Sequence, residues 1–119
     1  MGTRAVVGYE TQDGSYRGTT VNFDGYPSHM GPILSEMMLA DIVIMVEKSL
    51  AGGGVRGIDG PSLEDVEYYR DPTGIRPIIT WPDRSFGYAY RKCLDGTLEF
   101  CTTSTGSVRR WDPKKPSDT

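Results

Sequence analysis

Apolar and polar positions alternate with a strand-like period towards both ends of the chain, and between them one long stretch is apolar on a helical period. Thr3 to Tyr9 carries the run Ala5-Val6-Val7, whose β-branched content reads as a strand. Gln12-Asp13-Gly14-Ser15 reads as a turn. Tyr16 to Phe23 then alternates, with Tyr16, Gly18, Thr20 and Asn22 on one face and Arg17, Thr19, Val21 and Phe23 on the other. Two strands about an Asp-Gly turn predict an N-terminal β-hairpin.

Ser28 to Ala51 predicts a single helix. Ser28 caps its start, or Gly31 does with Pro32 at the first helical position. Ile33, Leu34, Met37, Met38, Ile42, Met45, Val46 and Leu50 leave only a narrow polar stripe around Glu36, Glu47 and Lys48. A helix this apolar belongs at the centre of a fold, with a sheet on one side and loops on the other. Gly52-Gly53-Gly54 ends it, because glycine accepts the left-handed conformation common after a helix.

Beyond a glycine-rich connection, Ser62-Leu63-Glu64-Asp65 resembles a helix-start signal with Asp65 in the capping position, enough for one turn. Val66 to Arg70 reads as a short strand and Asp71-Pro72-Thr73-Gly74 as a turn. Arg76 to Trp81 predicts a strand whose Pro77 places its start on an edge or at its first residue. Phe86 to Leu94 and Thr97 to Thr102 predict a second hairpin around the two-residue loop Asp95-Gly96. That register sets Lys92 opposite Glu99, Arg91 opposite Phe100 and Cys93 opposite Leu98, and leaves Cys93 and Cys101 as two free thiols. Ser107 to Trp111 adds a last short strand. The order predicts an α+β fold: a mostly antiparallel β-sheet packed against one central long helix, as a single domain over residues 1–111, with a flexible tail over 112–119.

The chain's 119 residues support one modest core. A formal net charge of −3 argues against a general binder of nucleic acid or anionic membrane. Two cysteines and one histidine make neither a disulfide framework nor a four-ligand zinc site, so no metal or other cofactor is expected. The N-terminus has no apolar signal core, and the apolar stretch from Met37 to Val46 is too short to span a bilayer. A cytoplasmic location is the expectation.

Gly52-Gly53-Gly54-Val55-Arg56-Gly57 matches a dinucleotide fingerprint in letters only, because a helix precedes it where a strand is required. Arg109-Arg110-Trp111 with Lys114-Lys115 is the only basic cluster, read either as a solvated tail or as a phosphate contact with Trp111 stacking on a base. The richest segment for chemistry runs from Asp24 to Pro32. There Asp24-Gly25-Tyr26-Pro27 makes a turn, and Asp24, Tyr26 and His29 can also form a polar rim that recognises a partner. His29 at a helix start reads first as a surface or capping residue; Asp24 can otherwise orient its imidazole for acid–base chemistry, although no activated serine or cysteine is apparent beside it. Tyr68-Tyr69-Arg70-Asp71 places two aromatics beside an opposite-charge pair, read first as alternate burial along a strand with a surface ion pair and otherwise as a recognition composition common at interfaces.

Two blocks carry a resemblance. Gly2-Thr3-Arg4-Ala5-Val6-Val7-Gly8-Tyr9-Glu10, followed by Phe23-Asp24-Gly25-Tyr26-Pro27 and Gly31-Pro32-Ile33-Leu34, resembles a group of small phage and prophage proteins that begin with GTR and carry a DGYP block after a strand. The likeness runs from Gly2 to about Leu50 and is looser beyond, where Pro72-Thr73-Gly74 replaces a charged continuation and Asn22-Phe23 replaces His-Trp. It implies provenance, a phage product acting in a bacterial cytoplasm, and no particular activity.

Three functional expectations follow. The first is a non-enzymatic, host-modulating or anti-defence protein that binds a host protein through Arg4, Asp24, Tyr26 and His29, with Tyr69 and Arg70 beside them. The second is capture of a nucleotide-like small molecule, read by Arg4, Arg17 and Arg70. The third is a small hydrolase using Asp24 and His29. Exposed hairpins also leave edge-to-edge homo-oligomers open.

Overall fold

The strands come from short, turn-bounded segments, and all of them join one sheet. A computed structural model describes residues 3–102 and 106–112. The strands are β1 (Ala5–Glu10), β2 (Tyr16–Val21), β3 (Val55–Ile58), β4 (Val66–Tyr68), β5 (Tyr88–Lys92), β6 (Leu98–Thr102) and β7 (Val108–Arg110), in the spatial order β4-β3-β2-β1-β5-β6-β7. Two helices, α1 (Pro27–Glu36) and α2 (Leu39–Ala51), connect β2 to β3, and a 3₁₀ turn (Leu63–Asp65) precedes β4. The α+β class therefore holds.

The mostly antiparallel sheet does not hold. β1 runs parallel to β5, with Ala5 opposite Tyr88 through Tyr9 opposite Lys92, and β2 runs parallel to β3 at Val21 and Val55. The helical crossing from β2 carries the chain back to the start of the sheet, which is what a parallel neighbour requires. The sheet is mixed, with two antiparallel hairpins laid side by side at the β1–β5 seam.

Nor is there one long helix. The apolar stretch breaks at Met37 and Met38, both extended, and the axes of α1 and α2 differ by 117°. Neither helix is long and apolar enough to cross a membrane. The first helical residue is Pro27, not Pro32, with Tyr26 at the cap position. α2 buries Ile42, Met45, Val46, Ser49 and Leu50, the spacing of one helical stripe, and leaves Ile44 half exposed. Full burial of each large apolar side chain on that stripe contributes roughly 1.5–3 kcal/mol. Ser49 is buried with it because its hydroxyl shares a 2.6 Å hydrogen bond with the buried Thr19 of β2.

The sheet is covered on both faces. On the helical side, Ala5, Val7, Val21, Tyr90 and Phe100 meet α1 and α2. On the other side, Ile78, Trp81 and Phe86 pack over Val6, Tyr16 and Ala89. The strand expected at 76–81 is reduced to a single bridge, in which Ile78 exchanges both backbone hydrogen bonds with Gly18 at 2.8 and 2.9 Å. The Tyr16 ring lies across the paired Gly8 and Gly18, where a Cβ on either would come within 2.5–2.7 Å of it. Its hydroxyl donates to the Tyr90 carbonyl at 2.8 Å.

The second hairpin forms one residue out of the expected register. Its loop has three residues, Leu94-Asp95-Gly96, with Gly96 at φ 88° and the ends closed by Cys93 and Thr97. Arg91, not Lys92, therefore faces and pairs with Glu99, while Lys92 faces Leu98 and Tyr90 faces Phe100. Both cysteines are buried free thiols, as expected. Ser62 and Asp65 form the reciprocal cap read from the sequence, with Glu64 N–H donating to Ser62 Oγ at 3.3 Å and Ser62 N–H to Asp65 Oδ2 at 3.3 Å. Trp111 is buried edge-on against Phe100, 5.7 Å between ring centres, so it is not available to stack on a base. Lys114, Lys115 and all of the expected tail beyond Asp112 lie outside the described residues.

Candidate functional site

The turn from β2 into α1 is built on a left-handed residue. Asp24 has φ 56°, a conformation aspartate tolerates better than most side chains. Gly25 follows because the chain there presses on β1: a Cβ would lie 2.6 Å from that of Ala5. Its N–H donates to the Thr3 carbonyl at 2.9 Å, and its own carbonyl accepts the buried Tyr90 hydroxyl at 2.6 Å. The turn is thus pinned from beneath at two points, and the Thr3 contact brings the exposed Arg4 beside its base.

On the outer side, Phe23 and Tyr26 are 40% and 38% exposed, large aromatics on either flank of Asp24. The Arg56 guanidinium of β3 sits 5.6 Å from the Phe23 ring centre. The His29 and Tyr26 ring centres are 5.9 Å apart. His29 Nε2–H donates to the Ile58 carbonyl at 2.8 Å, which ties the start of α1 to the end of β3. Among the described residues no carboxylate pairs with the imidazole, so the Asp24–His29 couple on which the hydrolytic expectation depends is not formed. Phe23, Asp24, Arg56, Asp59 and Glu67 surround a shallow depression of about 220 Å³.

Tyr69 and Arg70 are not part of this surface. The Tyr69 hydroxyl accepts from Asn22 Nδ2 at 2.9 Å, and its N–H donates to the Gly54 carbonyl at 3.0 Å. Both residues line a separate depression of about 410 Å³, with Lys48, Ala51, Tyr68 and Pro72. Lys48 Nζ stands 4.7 Å from the centre of the Tyr68 ring, whose phenol is pushed up by burial. Arg17, a proposed reader of phosphate, is occupied: its Nε and Nη2 donate to Glu47 at 2.5 and 2.9 Å, and Tyr9 donates to the same carboxylate at 2.9 Å.

The remaining chemistry is inward-facing. Burial pushes both thiols, Cys93 and Cys101, above the usual range, which is not the environment of an activated thiolate. No group of three or more His, Cys, Asp or Glu side chains among the described residues is arranged to hold a metal ion. Sequence reasoning missed Phe23, Arg56 and Lys48. Phe23 alone had a local signal, an aromatic next to the Asp-Gly turn, whereas Arg56 and Lys48 reach their places only through the path of α2 and β3.

No protein-family model matches the chain, and no curated protein and no solved structure matches it.

Proposed function

We propose that this protein is a small, non-enzymatic binding protein of phage origin that modulates its host by docking a host protein in the bacterial cytoplasm through the Asp24 turn. The observation that carries this reading is the pair of exposed aromatics, Phe23 and Tyr26, flanking a turn held from below by Tyr90 and Thr3. Buried aromatic anchors dominate the energetics of most protein interfaces. A turn already held in one conformation loses little further entropy on binding, so more of the contact energy appears as affinity. Asp24, Asp59 and Glu67 have no ion-pair partner among the described residues and outnumber Arg56, which lines the same depression. A partner that presents a basic segment beside an apolar pocket complements this surface in both charge and shape.

The test is a pull-down of tagged protein from bacterial lysate, with Tyr26→Ala and Asp24→Asn variants carried in parallel and their folding checked by circular dichroism. One stoichiometric host protein, lost from both folded variants, is the expected result. Retention of that protein by both variants, or absence of any stoichiometric partner, removes the reading.

A further inference from the structure

We propose that the depression between the end of α2 and β4 is a binding site for a small organic anion with a flat apolar body, whose phosphate or carboxylate head sits between Lys48 and Arg70. It shares no residue with the Asp24 turn, so the two proposals stand or fall separately.

The cations come first. Lys48 and Arg70 line the same depression, and neither has an ion-pair partner among the described residues, on a chain whose net charge is −3. Among the described residues, Asp71 is the one carboxylate in the lining. Its Oδ1 is bound within its own turn, accepting from Thr73 N–H at 3.0 Å and Thr73 Oγ1 at 2.6 Å. The end of a helix is ordinarily hostile to an anion because its last carbonyls point outwards. Here two of the last four, those of Ser49 and Leu50, are covered, which reduces that opposition: Gly52 and Gly54 N–H donate to Ser49 at 3.1 and 3.3 Å, and Ile75 N–H to Leu50 at 2.9 Å.

The walls supply the rest. Tyr68, Tyr69, Ala51 and Pro72 give the depression, which is shallow and open to solvent with a volume of about 410 Å³, partly apolar sides. Tyr69 is fixed by Asn22, and a Cβ on Gly53 would come 2.7 Å from the Asp71 Cβ, so the rim is packed before any ligand arrives. Two cations lining the same depression as two tyrosines, Lys48 standing over the Tyr68 ring, select an anionic head joined to a planar body; neither part alone satisfies the site.

The experiment is an amide NMR titration of the full chain with four probes: AMP, 1-naphthoate, adenosine and inorganic phosphate. Saturable shifts confined to residues 48–54 and 68–73 are expected with AMP or with 1-naphthoate, and which of the two binds tells a phosphate head from a carboxylate one. Adenosine and inorganic phosphate should each bind at least about tenfold more weakly, and Lys48→Ala with Arg70→Ala should cost about ten- to a hundredfold, the range of a lost charge-assisted contact. Adenosine binding as tightly as AMP, phosphate binding as tightly as AMP and 1-naphthoate, shifts centred elsewhere, or no saturable shift with any probe overturns the proposal.

Discussion

Lys92 Nζ donates to the carbonyl of Leu34 at 3.0 Å, across 58 residues of chain, and to that of Ser35 at the same distance. These carbonyls belong to the last turn of α1, where no further helical N–H is available to them. A cation in that position suits both the free oxygens and the negative end of the helix. Lys92 is buried, and no carboxylate among the described residues pairs with it. Its ammonium therefore replaces the next turn of helix, and α1 stops where the sequence pattern would carry it on.

Lys92→Met should accordingly lower stability by roughly 1–3 kcal/mol, the cost of leaving buried carbonyls without a donor. The loss exceeds the gain from removing a buried charge because two acceptors are abandoned at once. Burial holds the Lys92 ammonium below its usual range. A depressed folded value means that the wild type gains stability as pH rises from that value to 10.5, a rise the variant lacks. Urea midpoints from pH 7 to 10, with amide exchange at residues 37–41, check both points. Unchanged exchange at the break would show that Lys92 does not set it.

The upper pH limit should be set chiefly by the two most deeply buried of the raised phenols. Burial, reinforced by Asp83 and opposed by Arg91, pushes the Tyr16 hydroxyl well above its ordinary 10.0, and burial does the same to Tyr90. A raised folded value gives stability that is fully present below 10.0 and lost as pH climbs beyond it. Each such tyrosine removes up to about 1.4 kcal/mol per pH unit in that window. Tyr16→Phe should cost about 1 kcal/mol at neutral pH through the lost bond to the Tyr90 carbonyl, yet show a shallower decline above pH 10. Chemical denaturation from pH 8 to 12 reads the slope; equal slopes in the two proteins would assign alkaline unfolding to other groups.

Gly31 of α1 lies beneath the Trp111 indole, where a Cβ would approach ring atoms to 2.3–2.6 Å. The ring cannot simply retreat, because Phe100 meets it on another side. Gly31→Ala gains about 1 kcal/mol of helix propensity. Overpacking costs roughly 1–3 kcal/mol, and it should win here. The expected result is a lower melting temperature with faster exchange of the Trp111 indole N–H. A more stable variant with an unmoved indole signal would mean that β7 and the segment after it are not seated on α1 in this way.

What the sequence made legible was local. The first hairpin, the Gly52-Gly53-Gly54 stop, the Ser62–Asp65 cap and the Asp24 turn each depend on residues within a few positions of one another. What failed was set from far away. At the break in the helix the last carbonyls of α1 are taken by Lys92, from far along the chain, and nothing between Ile33 and Leu50 announces that partner. Asp95-Gly96 suits both a two-residue and a three-residue loop, and the choice decides whether Arg91 or Lys92 meets Glu99. The run Ala5-Val6-Val7 marks β1 as a strand covered on both faces, but nothing in it or in β5 names the parallel partner. The two separate surfaces divide the same way: Asp24, Tyr26 and His29 are close because they are near one another in sequence. Lys48 and Tyr68 are close only because α2 and β4 are.

Asp24 permits strain and charge to be tested apart. At φ 56° a β-branched side chain is an outlier, so Asp24→Val should destabilise by about 1–3 kcal/mol. Glycine relieves the strain but costs roughly 0.5–1 kcal/mol of entropy, so Asp24→Gly should leave stability near or slightly above the wild type. Asparagine accepts the same backbone and differs only in charge, so Asp24→Asn should stay within about 0.5 kcal/mol. Thermal melts of the three variants test that order. If the turn is the docking surface, Asp24→Asn and Asp24→Gly are folded proteins that both lose the partner. A stable Asp24→Asn that still captures it would leave Asp24 a purely conformational role and shift recognition to Phe23 and Tyr26.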